Sequence, residues 1–256
     1  MTQSVGDLLA WAPAFALVLG RIGAAMALLP ALGEHTVPAM IRAGLALAIA
    51  ALLAPVLAPG FPPLPDSGLA MALMVAGEVV TGLWFAWLTR LIAVALPMGA
   101  QFVASMVGLS SVLQPDPDLG PQSTALAKLF DIAVPVIILS SGLYTIVLEA
   151  LVGLFRLIPP GHMLPAGDSA QVFVLSVGKV FALALQVASP FVLAAMAWHV
   201  AMGQVARVMS RVQIFFVVMP GQILGGLALL AVIAGVMITA WQNGAGDYFA
   251  TLPGRG

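Results

Sequence analysis

The chain contains no cysteine, which removes disulfide frameworks, zinc-thiolate centres and thiol nucleophiles from consideration. Charge is almost as scarce: of 256 residues, 9 are Lys or Arg and 10 are Asp or Glu, or 7%. An ordinary soluble domain carries about 25%. So small a set, balanced to a net charge of -1, excludes nucleic acid as a partner, because neutralising phosphates takes clustered Lys and Arg. The three histidines, His35, His162 and His199, are too scattered for a helical metal pair. A phosphate-cradling glycine loop is also missing. The Gly-x-Gly-Asp string at Gly244 to Asp247 matches half of an intramembrane aspartyl protease. That chemistry needs a second aspartate after a tyrosine, yet Tyr144 and Tyr248 are followed by Thr145 and Phe249. No catalytic residue, metal ligand or cofactor is therefore expected, and the chain reads as a non-enzyme.

What remains is apolar. Hydrophobic residues make up 62% of the chain and the mean hydropathy is +1.11, so a compact soluble shape would lack the polar surface to face water. Uncharged runs extend over Ala43 to Pro65, Leu91 to Pro115, Ile132 to Leu148, Val180 to Ala206 and Val212 to Gly246. Two more, Leu8 to Gly33 and Ser67 to Thr89, are each interrupted by one charge, Arg21 and Glu78. These runs are continuously apolar rather than alternating, which favours helices over barrel strands. The expected fold is all-α: a polytopic membrane-protein helical bundle of about six long apolar helices, some kinked or in hairpins, forming one domain over residues 1–256 and built to pack into a larger helical assembly. Turn residues mark connections at Gly33 to Pro38, Pro59 to Ser67, Gln114 to Ser123 and Pro159 to Asp168. Met1 to Asp7 has no Lys or Arg, so the first apolar run is expected to be retained rather than cleaved. No internal repeat supports a transporter of inverted halves. Between Ser67 and Gln114 there is no polar loop, only Arg90 and the kink-prone Pro97, Met98 and Gly99, so this region is not expected to form two ordinary spans.

Ionisable groups inside a span cost at least about 2.5 kcal/mol at the bilayer centre, so they face protein, water or a partner, or snorkel to headgroups. Arg21 and Glu78 sit deep enough for buried contacts between segments or subunits. Lys128 and Asp131, three apart on one helix face, can neutralise each other. Gln101 is a further polar contact candidate within an apolar run. Arg207 and Arg211 share a face by their spacing of four and suit either anionic lipid or a partner. Gly221 and Gly225 form a small-residue pair suited to close helix packing.

The most informative stretch runs from Gly99 to Ser123. A small-residue helix leads into Met106, Val107, Gly108, Leu109, Ser110, Ser111, Val112 and Leu113, and then Gln114, Pro115, Asp116 and Pro117. Apolar bulk alternates with Gly and Ser before prolines end any helix, a composition that suits either a mobile constriction or an ordinary helix end with a surface loop.

An ordered series of residues resembles the FliR family, the flagellar and type III secretion export-gate R/T subunits. Its opening block is Arg21, Pro30, Gly33, Glu34, Pro38, Arg42, Leu45, Pro55, Gly77, Glu78 and Gly82. Gly99, Gln101, Gly108, Asp116, Pro117 and Gly120 follow, then Gly142 and Phe155 to Pro159, then Pro190, Gly203, Arg207, Phe215, Pro220 and Gly226. The chain departs from the pattern at Leu154, at His199 and through Arg207 to Arg211. The resemblance implies a subunit that assembles with P and Q export-gate subunits, alongside A-type and B-type export proteins, into a pore in the inner membrane at the flagellar basal body. Unfolded proteins would pass through it, and the loop at about 106–120, Met106 to Pro117 above all, would help plug it. A stand-alone transporter or channel for a small solute is the alternative.

Overall fold

With no water to pair backbone groups inside a bilayer, a continuously apolar chain satisfies its N–H and C=O groups internally, and the helix is the local way to do so. The computed structural model describes residues 5–34, 36–63, 65, 67–109, 124–208 and 214–255, and among these there are seven α-helices and no strand. They are α1 (Val5–Leu28), α2 (Ala39–Leu57), α3 (Gly68–Val107), α4 (Ala125–Ser140), α5 (Leu143–Leu157), α6 (Ala166–Val208) and α7 (Ile214–Ala250). A 3-10 turn, Ala58–Gly60, follows α2.

The helices do not follow the uncharged runs. Ser67 to Thr89 and Leu91 to Pro115 contribute to one 40-residue helix, α3, which continues through both Arg90 and Pro97. The run from Ile132 to Leu148 is instead broken at Ser141 and Gly142, where Gly142 takes φ +77, a left-handed value that suits glycine. A charge is not a helix breaker and a proline is only a local one. Each of α1, α2, α3, α4, α6 and α7 carries an internal proline. In α6 the carbonyl of Gln186, which loses its helical partner to Pro190, accepts the Ser189 hydroxyl at 2.8 Å.

Two compact units divide the chain. The first comprises Met1–Leu91, Ile138–Ser176 and Asp247–Gly256. In its core Leu17, Ile22, Met26, Phe85, Leu88, Leu154 and Phe249 are closed off from solvent, and the Tyr248 hydroxyl donates to the Leu88 carbonyl at 2.9 Å. Here α1 and α3 approach so closely that a Cβ on Gly82 would collide with the Arg21 carbonyl. The second unit comprises Ile92–Ile137 and Val177–Gly246. Its core joins Leu96, Val103, Ala184, Val187, Phe191 and Trp241, with the indole N–H of Trp241 donating to the Ile92 carbonyl at 3.1 Å. A Cβ on Gly99 would lie 3.0 Å from the Ala184 carbonyl oxygen, and one on Gly244 would lie 2.6 Å from Leu183, so glycines set the spacing of α6 against α3 and α7 in this unit.

Among the described residues five helices are long and apolar enough to cross a membrane, six spans if α4 and α5 count as one broken span. Only 17% of the α2 span and 6% of the α7 span is buried within the chain. Apolar surface of that extent requires lipid or another protein against it. At 1.5 Å per residue α3 is about 60 Å long, twice the roughly 30 Å of a bilayer's hydrocarbon core.

Candidate functional site

In the second unit, the C-terminal end of α3 and the start of α4 bracket residues 110–123, and both ends are tied down. Val107 is buried, and its side chain fills the space left by Gly226 of α7, where even a Cβ would clash. One residue later Gly108 adopts φ +84, ending α3 with a conformation that other L-residues rarely accept. The Gln222 amide of α7 donates to the Met106 carbonyl at 2.8 Å, satisfying one of the oxygens that a helix end leaves open. On the return side, Thr124 caps α4 by accepting the Ala127 N–H at 3.2 Å. Its own N–H and hydroxyl both donate to the Gln101 side-chain oxygen, at 3.1 and 2.9 Å. Gln101 therefore links the last turns of α3 to the residue that caps α4. Next to this anchor lies a cavity of about 270 Å³ between α3, α6 and α7, walled by Val107, Phe191, Trp198, Gln222, Gly226 and Leu229 among others.

Of the expected gate residues, Met106 to Leu109 are placed here, and Ser110, Ser111, Val112, Leu113, Gln114, Pro115, Asp116 and Pro117 lie outside the described residues. Gly221 makes an ordinary contact with Trp198, and Gly225 has no neighbour within 4 Å of where a Cβ would be. Arg207 is exposed in the last turn of α6, and Arg211 lies outside the described residues. Lys128 and Asp131 pair at 2.8 Å on the exposed surface of α4.

The first unit holds a second polar constellation. Arg21 Nε donates to Glu78 Oε2 at 2.7 Å, with both side chains essentially closed to solvent. The two other guanidinium nitrogens donate to the Leu154 carbonyl at 3.1 Å and the Ile158 carbonyl at 2.9 Å. These oxygens end α5, where a cation also meets the negative end of the helix dipole. The guanidinium lies 4.2 Å from the centroid of the Phe155 ring, and Phe155 in turn stacks on Phe61. The other carboxylate oxygen of Glu78 accepts the Gly161 N–H at 3.3 Å. One ion pair thus joins α1, α3 and the connection after α5. Arg90 makes a looser contact in the same unit, 3.6 Å from Glu34, while donating to the Leu28 carbonyl at 3.3 Å.

Sequence reasoning did not single out Gln222 or Thr124, and it met Phe155 only within the series that carries the family resemblance. Gln222 had a visible signal, being a lone amide in the apolar first half of α7. The contacts of Thr124 and Phe155 had none, because they depend on partners 23 and 134 positions away, Gln101 and Arg21. Among the described residues no group of His, Asp and Glu side chains is arranged to hold a metal ion.

Long apolar helices, buried charge neutralised inside the chain and extensive uncovered apolar faces define an all-α polytopic membrane protein. Comparison with known proteins narrows this further. The chain belongs to the family of bacterial export proteins, family 1, which matches residues 12–247. It is similar to the flagellar biosynthetic protein FliR of Caulobacter vibrioides, at 30% identity over 228 residues, covering 89% of this chain and 91% of that one. The Bacillus subtilis FliR is 25% identical over 234 residues, covering 90% of each chain. The Escherichia coli FliR is 24% identical over 226 residues, covering 88% of this chain and 85% of its own. Membership makes this chain a non-enzymatic membrane component of the flagellar export apparatus, associated with other components of that apparatus.

Proposed function

We propose that the chain is a subunit of the flagellar protein export gate, assembling with P-type and Q-type subunits into the channel that carries unfolded export substrates across the bacterial inner membrane. The observation that carries this reading is family membership along almost the whole chain, residues 12–247. Uncovered apolar faces on α2 and α7 support it, because a gate subunit needs surfaces for neighbouring subunits as well as for lipid. A-type and B-type export proteins supply the energised partners, since this sequence has no nucleotide motif of its own. The whole of residues 1–256 acts as a single gate domain.

Within it, residues about 106–120 form the plug loop, and Met106 to Pro117 seal the resting channel by excluding water with apolar side chains. The anchors at Gln222, Gly226 and Gln101 support this role, because a segment that must open needs fixed ends to return to. Arg207 and Arg211 contact anionic lipid or a partner, and Gly221 with Gly225 receives a neighbouring helix at close range.

Copurification in mild detergent tests the assembly. A tagged chain is expected to bring down P-type and Q-type subunits in one defined complex. If it migrates alone or as a symmetric homo-oligomer while P and Q assemble without it, the reading is wrong.

A further inference from the structure

A second cavity, of about 700 Å³, opens on the first unit between α5 and the C-terminal tail, and three of its lining residues are Glu149, Arg156 and Arg255. The tail is held against α5 by an unusual contact. Gly254 takes φ +94, and any Cβ there would strike the Ala150 carbonyl and the Leu154 nitrogen. From the other side, a Cβ on Gly153 would collide with the Gly254 carbonyl. Two glycines therefore let backbone lie directly on helix, and Leu252, buried just before them, fixes the tail further. The result sets Arg255 in the same cavity wall as Arg156.

Among the described residues neither arginine forms an ion pair, and neither does Glu149, although all three line one cavity. Two cations and an anion left apart in this way suit a ligand that bears both signs. Glu149 and Arg156 are seven residues apart on one face of α5, roughly 10 Å along the axis. A phosphate and an amine joined by two carbons, with a hydrogen bond of about 3 Å at each end, covers a distance of that order. The remaining wall includes the apolar Leu148 and Val152, and Arg156 stands in the last turn of α5, the place where membrane-helix charges meet headgroups. We propose that this cavity binds an ethanolamine phospholipid headgroup, the phosphate held by Arg156 and Arg255 and the ammonium by Glu149.

Native mass spectrometry of the full-length chain, released from detergent with added phosphatidylethanolamine or phosphatidylglycerol of matched acyl chains, tests this. Wild type is expected to retain phosphatidylethanolamine in preference. Arg156→Gln and Arg255→Gln are each expected to weaken retention about fivefold, the factor that one basic contact to a headgroup supplies, and about 25-fold together. Glu149→Gln is expected to abolish the preference over phosphatidylglycerol while leaving phosphate binding in place. Arg255 is exposed in the tail, so its substitution tests the site without threatening the fold, and an unchanged elution profile verifies that. Equal lipid retention by wild type and the double variant overturns the proposal. So does displacement of the lipid by free phosphoethanolamine at equal concentration, which would make the site one for a soluble ligand. Loss of a copurifying polypeptide from the arginine variants, with lipid retention unchanged, would overturn it in favour of a protein partner.

Discussion

Removing one member of the Arg21 and Glu78 pair leaves a charge with no counterion in a place where water does not reach, and the expected cost is about 3–5 kcal/mol. The side chains are 0% and 1% exposed and 2.7 Å apart, so neither can turn outward to recover hydration. The two variants differ in what they leave behind. In Arg21→Met the Glu78 side chain keeps its bond from the Gly161 N–H. In Glu78→Gln the guanidinium cannot discharge and is left with neutral acceptors alone, the Leu154 and Ile158 carbonyls and the new amide oxygen, besides its place against Phe155. Glu78→Gln is therefore the worse of the two. The double variant Arg21→Met with Glu78→Leu removes both charges, and its cost is expected to fall well below the sum, with a coupling of at least about 2 kcal/mol. Thermal unfolding in detergent, followed by size-exclusion of the surviving monodisperse fraction, reads these differences. With about 2–4 °C per kcal/mol for a chain of this size, Glu78→Gln should lower the midpoint by roughly 6–20 °C. A loss below about 2 °C in both single variants, or additive losses in the double variant, would refute the claim that this pair locks α1, α3 and the end of α5 together.

Gln222→Leu removes the amide that holds the Met106 carbonyl, and deletion of Gly108 to Leu113 removes the segment beyond it. Expressed with partner subunits, both are expected to raise ion permeability, the deletion more, and unchanged conductance in proteoliposomes would reject the sealing role. Gly82→Ala drives a Cβ into the Arg21 carbonyl and should cost about 1–3 kcal/mol through overpacking, read as lost yield and a lowered melting midpoint. Ala31, the single described non-glycine residue at positive φ (+71), should gain up to about 1 kcal/mol on replacement by glycine, seen as a higher midpoint in the same assay.

The scarcity of charge made a bundle of membrane helices legible before any coordinates, because 19 charges cannot solvate 256 residues. Helix boundaries were less legible. Ser67 to Gln114 was legible as something other than two ordinary spans, with Pro97 a kink point, and α3 runs through both Arg90 and Pro97 with Gly99 packed against the Ala184 carbonyl. Gly142 did end a helix, inside a run that composition presented as continuous. At the candidate sites Arg21 and Glu78 stood out as ionisable groups in apolar surroundings. Their pairing was not legible, since no local rule links positions 57 residues apart. Lys128 and Asp131 were readable as a pair for the opposite reason, being one helical turn apart. Gln222 and Gly226 acquire meaning only through Met106 and Val107, more than a hundred residues earlier.

The same distances have a consequence for how the protein is made. Arg21 leaves the ribosome 57 residues before Glu78, and 133 and 137 residues before the two carbonyls that complete its shell. At 5–20 residues per second the counterion arrives roughly 3–11 s late, and the carbonyls later still. Throughout that interval the first apolar helix carries a cation without its partner, at a cost of about 2.5–3.5 kcal/mol if it lies at the bilayer centre. The ion pair that secures the finished fold therefore cannot form until α3 has been made, and its shell cannot be completed until the end of α5 has followed.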